Sequence, residues 1–186
     1  MFKHISIIGC GLIGSSILRS IIRKKISDNV VVFDKSKEVL SFLKKENITN
    51  DTSSNIQEAV HNADLIIIAA PLSSYKEIIL SIKDNLKKNC ILTDTGSAKK
   101  EVNKIIQNLN LKNISWIASH PIAGTEDSGP KAGFAELFDN RWCILSPSEN
   151  SKKEDVNKLQ NFWESIGSKV KIMSFEEHDH ILSLTS

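Results

Sequence analysis

The sequence predicts an α/β fold with a doubly wound, mostly parallel sheet, and three observations predict it. Short apolar runs alternate with stretches of helical period along nearly all of the 186 residues. The strongest run, Ala63 to Ala69, is apolar on both faces, as a strand covered by helices on both sides must be. Gly9, Gly11 and Gly14 then spell G-x-G-x-x-G directly after the first run and at the opening of the first helical stretch. That combination specifies the Rossmann type of the fold.

In chain order, His4 to Gly9 reads as a buried strand, and Ile13, Ile17, Leu18, Ile21 and Ile22 mark one face of a helix. Val30 to Phe33 is the second strand, followed by Val39, Leu40 and Leu43 at helical spacing. After the Ala63–Ala69 strand, Ile78, Ile79, Ile82 and Leu86 predict a helix, Cys90 to Thr93 a strand, and Val102, Ile105, Ile106 and Leu109 another helix. Ile114 to Ala118 and Trp142 to Leu145 are later strands. Val156, Leu159, Trp163 and Ile166 give a helix face, Val170 to Met173 the last strand, and Phe175 onward the last helix. Four S-x-x-E/Q pairs signal helix starts: Ser54 with Gln57, Ser74 with Glu77, Ser151 with Glu154, and Ser174 with Glu177. The one long aperiodic stretch runs from His120 to Asn140, and loops of that length are usually functional.

The glycine turn predicts a phosphate cradle. Gly9 permits the tight turn, Gly11 lets the backbone approach a pyrophosphate, and Gly14 lets helix and strand pack closely. The amides of Leu12, Ile13 and Gly14 at the helix start would face the phosphates, aided by the helix dipole. Asp34 closes the second strand, where a carboxylate accepts hydrogen bonds from the adenosine ribose and repels a 2′-phosphate. NAD is therefore expected over NADP, although Lys35 and Lys37 stand close enough in sequence to pair with a phosphate.

Bulk composition narrows the partners. Net charge is +2, and the lysines form no block interleaved with aromatics, so neither nucleic acid nor another polyanion is expected. No apolar run approaches the length of a membrane span, and no secretory leader pattern follows Met1. Cys10, Cys90 and Cys143 are odd in number and far apart, which fits a reducing compartment and excludes a CxxC site. A cytoplasmic protein is expected. His178-Asp179-His180 invites a metal, but residues two apart on a helix do not face each other, so the reading is a polar helix start and no metal. Trp116, Trp142 and Trp163 read as core. Cys10 reads as a small residue that fits the glycine turn, with a thiol activated by the helix N-terminus as the alternative.

Ligands of a doubly wound sheet sit outside the carboxyl ends of the strands. Three loops occupy that edge beyond the cradle: Ala69-Ala70-Pro71, Asp94 to Ser97 with Gly96, and Ser119 to Glu126. The last carries His120, a residue type suited to accept a proton in hydride chemistry, although a histidine before proline is often structural.

Gly9 to Ser16 (GCGLIGSS), Asp94 to Lys99 (DTGSAK), His120 to Gly129 (HPIAGTEDSG), Leu137-Phe138 and His178-Asp179 together resemble the prephenate and arogenate dehydrogenases. The resemblance covers essentially the whole chain in the family's order; the His120 motif is its specific part. It implies NAD-linked oxidative decarboxylation of prephenate or arogenate, small anionic substrates on the route to tyrosine. It implies His120 as the catalytic base, Ser97 as the serine that helps hold that histidine and the nicotinamide, and Glu126 as an acid gating or steering at the pocket mouth. Ser186 matches the serine just before a His-Leu-Pro-His stretch of the family.

The family continues past that stretch into a helical domain that dimerises and supplies an arginine for the substrate carboxylate. The last helix here has no stop signal after Ile181, Leu182 and Leu184. The chain is therefore expected to comprise a nucleotide-binding domain, residues 1–174, and the start of a helix, 175–186, leading into a helical domain missing from this sequence. By itself it is expected to bind NAD and to act weakly. Two other readings compete: a Rossmann reductase acting on a hydroxy acid or imine, and a non-catalytic nucleotide-binding regulatory module.

Overall fold

A computed structural model describes residues 2–49, 51–109, 111 and 114–185. Strand β1 (His4–Ile8) leads into helix α1 (Leu12–Lys24), β2 (Asn29–Phe33) into α2 (Lys37–Lys45), and β3 (Thr52–Ser53) into α3 (Ile56–Val60). β4 (Leu65–Ile68) precedes α4 (Tyr75–Ile82), and β5 (Ile91–Asp94) precedes α5 (Lys99–Leu109). β6 (Ser115–Pro121), β7 (Trp142–Pro147), α6 (Lys153–Ser165), β8 (Lys169–Ile172) and α7 (Phe175–Thr185) complete the order. Among the described residues the strands form one sheet, ordered β3-β2-β1-β4-β5-β6-β7-β8. Its first six strands are parallel neighbours in the doubly wound order, with the topological switch between β1 and β4.

Alternation along the strands divides the core between the two faces. Ile5, Ile7, Leu65 and Ile67 pack with α1 and α6, whereas Ile8, Ile66 and Ile68 pack with α3, α4 and α5. All seven of these side chains are at most 1% exposed. Each such side chain contributes about 1.5–3 kcal/mol by leaving water.

Several boundaries differ from the expectations. β3 was not expected; it pairs two residues with Val32 and Phe33, too few to leave a periodic signal. β6 runs on to Pro121, so His120 lies within a strand rather than at the start of a loop. The cause is β7, which pairs antiparallel with β6 and matches His120 with Ile144. Of the four capping boxes only Ser174 and Glu177 close one, each accepting the other's backbone N–H at 3.1 and 2.8 Å. Asn55 displaces Ser54 as the cap of α3, Ser74 lies in a 3-10 turn without a capping bond, and Ser151 donates instead to the Trp116 carbonyl. Trp116 and Trp163 are buried, but Trp142 is 52% exposed at the start of β7 and is not core. Ile22 likewise faces solvent at 45%, one position off the buried stripe of α1. Leu86 falls beyond α4, after a 3-10 turn at Lys83–Asn85.

The stretch from 122 to 140 is tied to α1. Ser15 and Ser20 donate to the carbonyls of Pro130 and Ala135, and the Phe134 N–H donates to Ser16. Three serines on one helix therefore replace the regular hydrogen bonds that this segment lacks.

Candidate active site at the carboxyl edge of the sheet

The cradle follows β1. Gly9 has φ +90°, and a Cβ there would stand 2.6 Å from the Ala69 carbonyl oxygen, so the turn and its fit against the end of β4 both require glycine. A Cβ on Gly14 would overlap the Gly9 carbonyl oxygen, whereas one on Gly11 would meet nothing within 4 Å. Gly11 thus looks onto open space. No side chain caps the start of α1 and its first turn holds no acid, leaving the positive end of the helix available to an anion. The side chains of Leu12 and Ile13 are partly buried against the core, and their amides stand in the first turn of α1.

A cavity of about 410 Å³ opens beside the cradle, lined by Gly9, Gly11, Asp34, Lys35, Ala70 and Pro71 among others. Asp34 accepts the Cys10 N–H at 2.7 Å on one oxygen and the Ser36 N–H at 2.9 Å on the other, which holds the carboxylate at the cavity wall. Cys10 is fully buried; burial, and then the charge of Asp34, pushes its thiol up to about 12. The activated-thiol alternative therefore fails: the helix terminus does not offset desolvation.

The next loop is built on a buried ion pair. Lys99 Nζ lies 2.7 Å from both oxygens of Asp94, and neither side chain is exposed. Asp94 also accepts from Gly96 N–H (3.0 Å), Ser119 N–H (3.2 Å) and the Tyr75 hydroxyl (3.2 Å). Burial lowers the Lys99 ammonium below its usual range although Asp94 opposes that shift, and burial followed by the Asp94 charge raises the Tyr75 phenol. The loop carrying Gly96 and Ser97 is consequently fixed from below, and Ser97 itself is exposed.

His120 stands on the edge beyond that loop, two strands from β4 and three from β1. Three strand spacings amount to about 14 Å. Its ring is only part-exposed and shares a 2.9 Å hydrogen bond, through Nδ1, with Nε2 of His178. His178 is fully buried, and its Nδ1 lies 2.7 Å from Asp179 Oδ1. The Lys100 N–H donates to the second Asp179 oxygen at 3.1 Å. Burial, then the charge of Lys99, lowers the His120 imidazole to about 4, so it is uncharged at neutral pH. Burial works against ionisation of Asp179, but the hydrogen bonds from His178 and Lys100 prevail and hold its carboxyl below the usual range. His178 is therefore no polar helix start. It closes over the one histidine that sequence reasoning had singled out.

Glu126 lies exposed in the loop after β6, beside a shallow depression it shares with Asp127, Ser128 and Lys131. His120 takes His178, not Ser97, as its hydrogen-bonding partner. Ser186 lies outside the described residues. Among those residues no group of three or more His, Cys, Asp or Glu is arranged to hold a metal ion, and no helix is long and apolar enough to cross a membrane. Sequence reasoning assigned no role to Asp94, Lys99 or Tyr75, and read His178 as part of a polar helix start and of the family motif without linking it to His120. The box at Ser174 and Glu177 did carry a signal for His178: it sets that residue at the fourth helical position, which packs inward.

Residues 18–172 match the family described as "Prephenate dehydrogenase, nucleotide-binding domain". The cyclohexadienyl dehydrogenase of Zymomonas mobilis is 41% identical over 186 residues, covering 100% of this chain and 63% of that protein. The prephenate dehydrogenase of Lactococcus lactis is 30% identical over 99% of this chain and 50% of its own length. The crystal structure of prephenate dehydrogenase from Aquifex aeolicus in complex with hydroxyphenyl propionate and NAD+ superposes with a TM-score of 0.89 at 25% identity, covering 98% of this chain and 63% of that one. The chain thus spans between half and two thirds of the length of these relatives.

Proposed function

The chain belongs to the prephenate dehydrogenase family through its nucleotide-binding domain, and on that premise we propose that it serves NAD-linked oxidative decarboxylation of prephenate or arogenate. Binding of NAD is supported by the fit of the cradle: the face of Gly11 is open, the start of α1 is uncapped, and Asp34 is held at the wall of an adjoining cavity. Leu12, Ile13 and Gly14 would offer their amides to the pyrophosphate and Asp34 its carboxylate to the ribose, with Ala70 and Pro71 walling the cavity. The same carboxylate disfavours a 2′-phosphate. When bound, NAD supplies the hydride acceptor.

The observation that carries the proposal is His120 itself, a partly buried and uncharged imidazole at the carboxyl edge of the sheet. It accepts the proton of the substrate's ring hydroxyl as hydride leaves the same carbon, which lets the ring ketone form and shed carbon dioxide on the way to an aromatic ring. Asp94 and Lys99 hold the loop that presents Gly96 and Ser97 between cradle and base. Glu126, exposed in the loop beyond His120, steers or gates the anionic substrate in this reading.

Residues 1–174 form the nucleotide-binding unit in this reading, and residues from 175 begin the helix that in the family resembled leads into a dimerising helical domain with the clamp for the substrate carboxylate. The chain alone binds NAD and turns over weakly. Three buried free cysteines suit the reducing cytoplasm. The test is His120→Asn in the complete protein, assayed for prephenate-dependent reduction of NAD. Turnover is expected to fall at least about 100-fold, the lower end of what general base catalysis contributes, with NAD affinity unchanged. Undiminished turnover would refute the assignment.

A further inference from the structure

We propose that His178 and Asp179 are positioning residues that hold His120 in one tautomer, with the proton on Nδ1 and the lone pair of Nε2 free for the substrate. The inference rests on the reading of His120 as the base, and it adds which nitrogen acts and what selects it.

The argument runs inward from Asp179. Its Oδ2 accepts the Lys100 N–H and its Oδ1 faces His178 Nδ1 at 2.7 Å. An ionised carboxylate has no proton to give, so the hydrogen of that contact belongs to His178 Nδ1. Carrying that one proton, His178 presents a bare Nε2 to His120 at 2.9 Å. His120 must then be the donor through Nδ1, and its Nε2 is left as an acceptor. The two rings are fixed relative to each other, with centroids 5.1 Å apart and planes at 59°, and His178 has no solvent to exchange partners with. When Nε2 takes up a proton, the resulting imidazolium finds the Asp179 carboxylate at the far end of the same chain of hydrogen bonds. A carboxylate that orients one histidine to aim a base is a recurrent device; here a second histidine lies between.

Asp179→Asn tests the arrangement sharply. The Lys100 N–H still requires an acceptor, so it retains the amide oxygen and turns the NH2 group toward His178 Nδ1. That reverses every donor in the chain: His178 would carry its proton on Nε2, donate to His120 Nδ1, and leave His120 protonated on Nε2.

The measurement is the long-range 1H–15N correlation spectrum of histidine rings in the 15N-labelled chain at pH 7, with His120 and His178 assigned by His120→Gln and His178→Gln. In the unsubstituted chain both rings are expected to be protonated on Nδ1 only, and in Asp179→Asn both on Nε2 only. In the complete protein, kcat of Asp179→Asn is expected to fall at least about 10-fold, the lower end for a lost orienting partner, with KM for NAD unchanged. A His120 protonated on Nε2, or a doubly protonated His178, in the unsubstituted chain would overturn the inference, as would an Asp179→Asn variant with unaltered tautomers. Should that variant fail to fold, the unsubstituted spectrum decides alone. A wrong tautomer would leave the role of His120 as base intact, whereas undiminished turnover in His120→Asn would remove that role without altering the spectrum.

Discussion

Lys99 reaches both oxygens of Asp94 at 2.7 Å in a setting where neither side chain meets solvent, and the loop between the glycine turn and His120 is suspended from that pair. Removing one partner strands the other charge in the interior. Lys99→Met is therefore expected to destabilise the fold by about 3–5 kcal/mol. Urea unfolding of the variant measures this, and a loss of less than about 1 kcal/mol, as for an exposed pair, would contradict it.

The second and third glycines of the cradle separate cleanly. Gly11→Ala adds a methyl where nothing lies within 4 Å, so the urea midpoint should stay unchanged while NAD affinity falls. Gly14→Ala drives its methyl into the Gly9 carbonyl and should lower both. Isothermal titration with NAD beside unfolding curves distinguishes them; equal stability of the two variants would contradict the account.

Acid sensitivity follows from His120. In the unfolded chain its ring takes a proton near the ordinary value of 6.5, whereas in the folded protein burial and the charge of Lys99 delay that to about 4. Between these values the unfolded state binds more protons, so stability falls as pH drops from about 6.5 to about 4. The urea midpoint measured from pH 7 to pH 4.5 should decline, and His120→Gln should flatten the decline. By the same shift, kcat/KM of the complete protein should hold down to about pH 5 rather than fall through 6.5.

Cofactor choice is expected to follow Asp34. Its carboxylate is held by the Cys10 and Ser36 amides, so it cannot swing aside for a 2′-phosphate. Asp34→Ser should reduce the preference for NAD over NADP about 10-fold or more, the worth of one hydrogen bond to a charged group. Titration of the variant with both dinucleotides checks this, and an unchanged ratio would exclude Asp34 as the discriminating residue.

The glycine turn, the strands that follow it and Asp34 were legible because local physics determines them: only glycine fits Gly9 and Gly14, and apolar runs cannot face water. The partner of His120 was not legible in that way. His178 follows it by 58 residues, and the two meet only because β7 extends β6 through His120 while α7 packs back across α5. Lys99 escaped for a related reason. A lysine beginning a helix reads as solvated, and its burial becomes intelligible only once Asp94 lies beneath it. Trp142 erred in the opposite direction, since an aromatic at the start of a strand carries no mark of whether that end is covered.

A crystal structure of this chain with NAD tests the central claim most directly, that cradle and base address one dinucleotide. The account predicts the pyrophosphate against Gly11 and the nicotinamide ring over the loop of Gly96 and Ser97, within reach of a substrate bound at His120 Nε2. A nicotinamide directed away from β6, with His120 facing no part of the cofactor pocket, would contradict it.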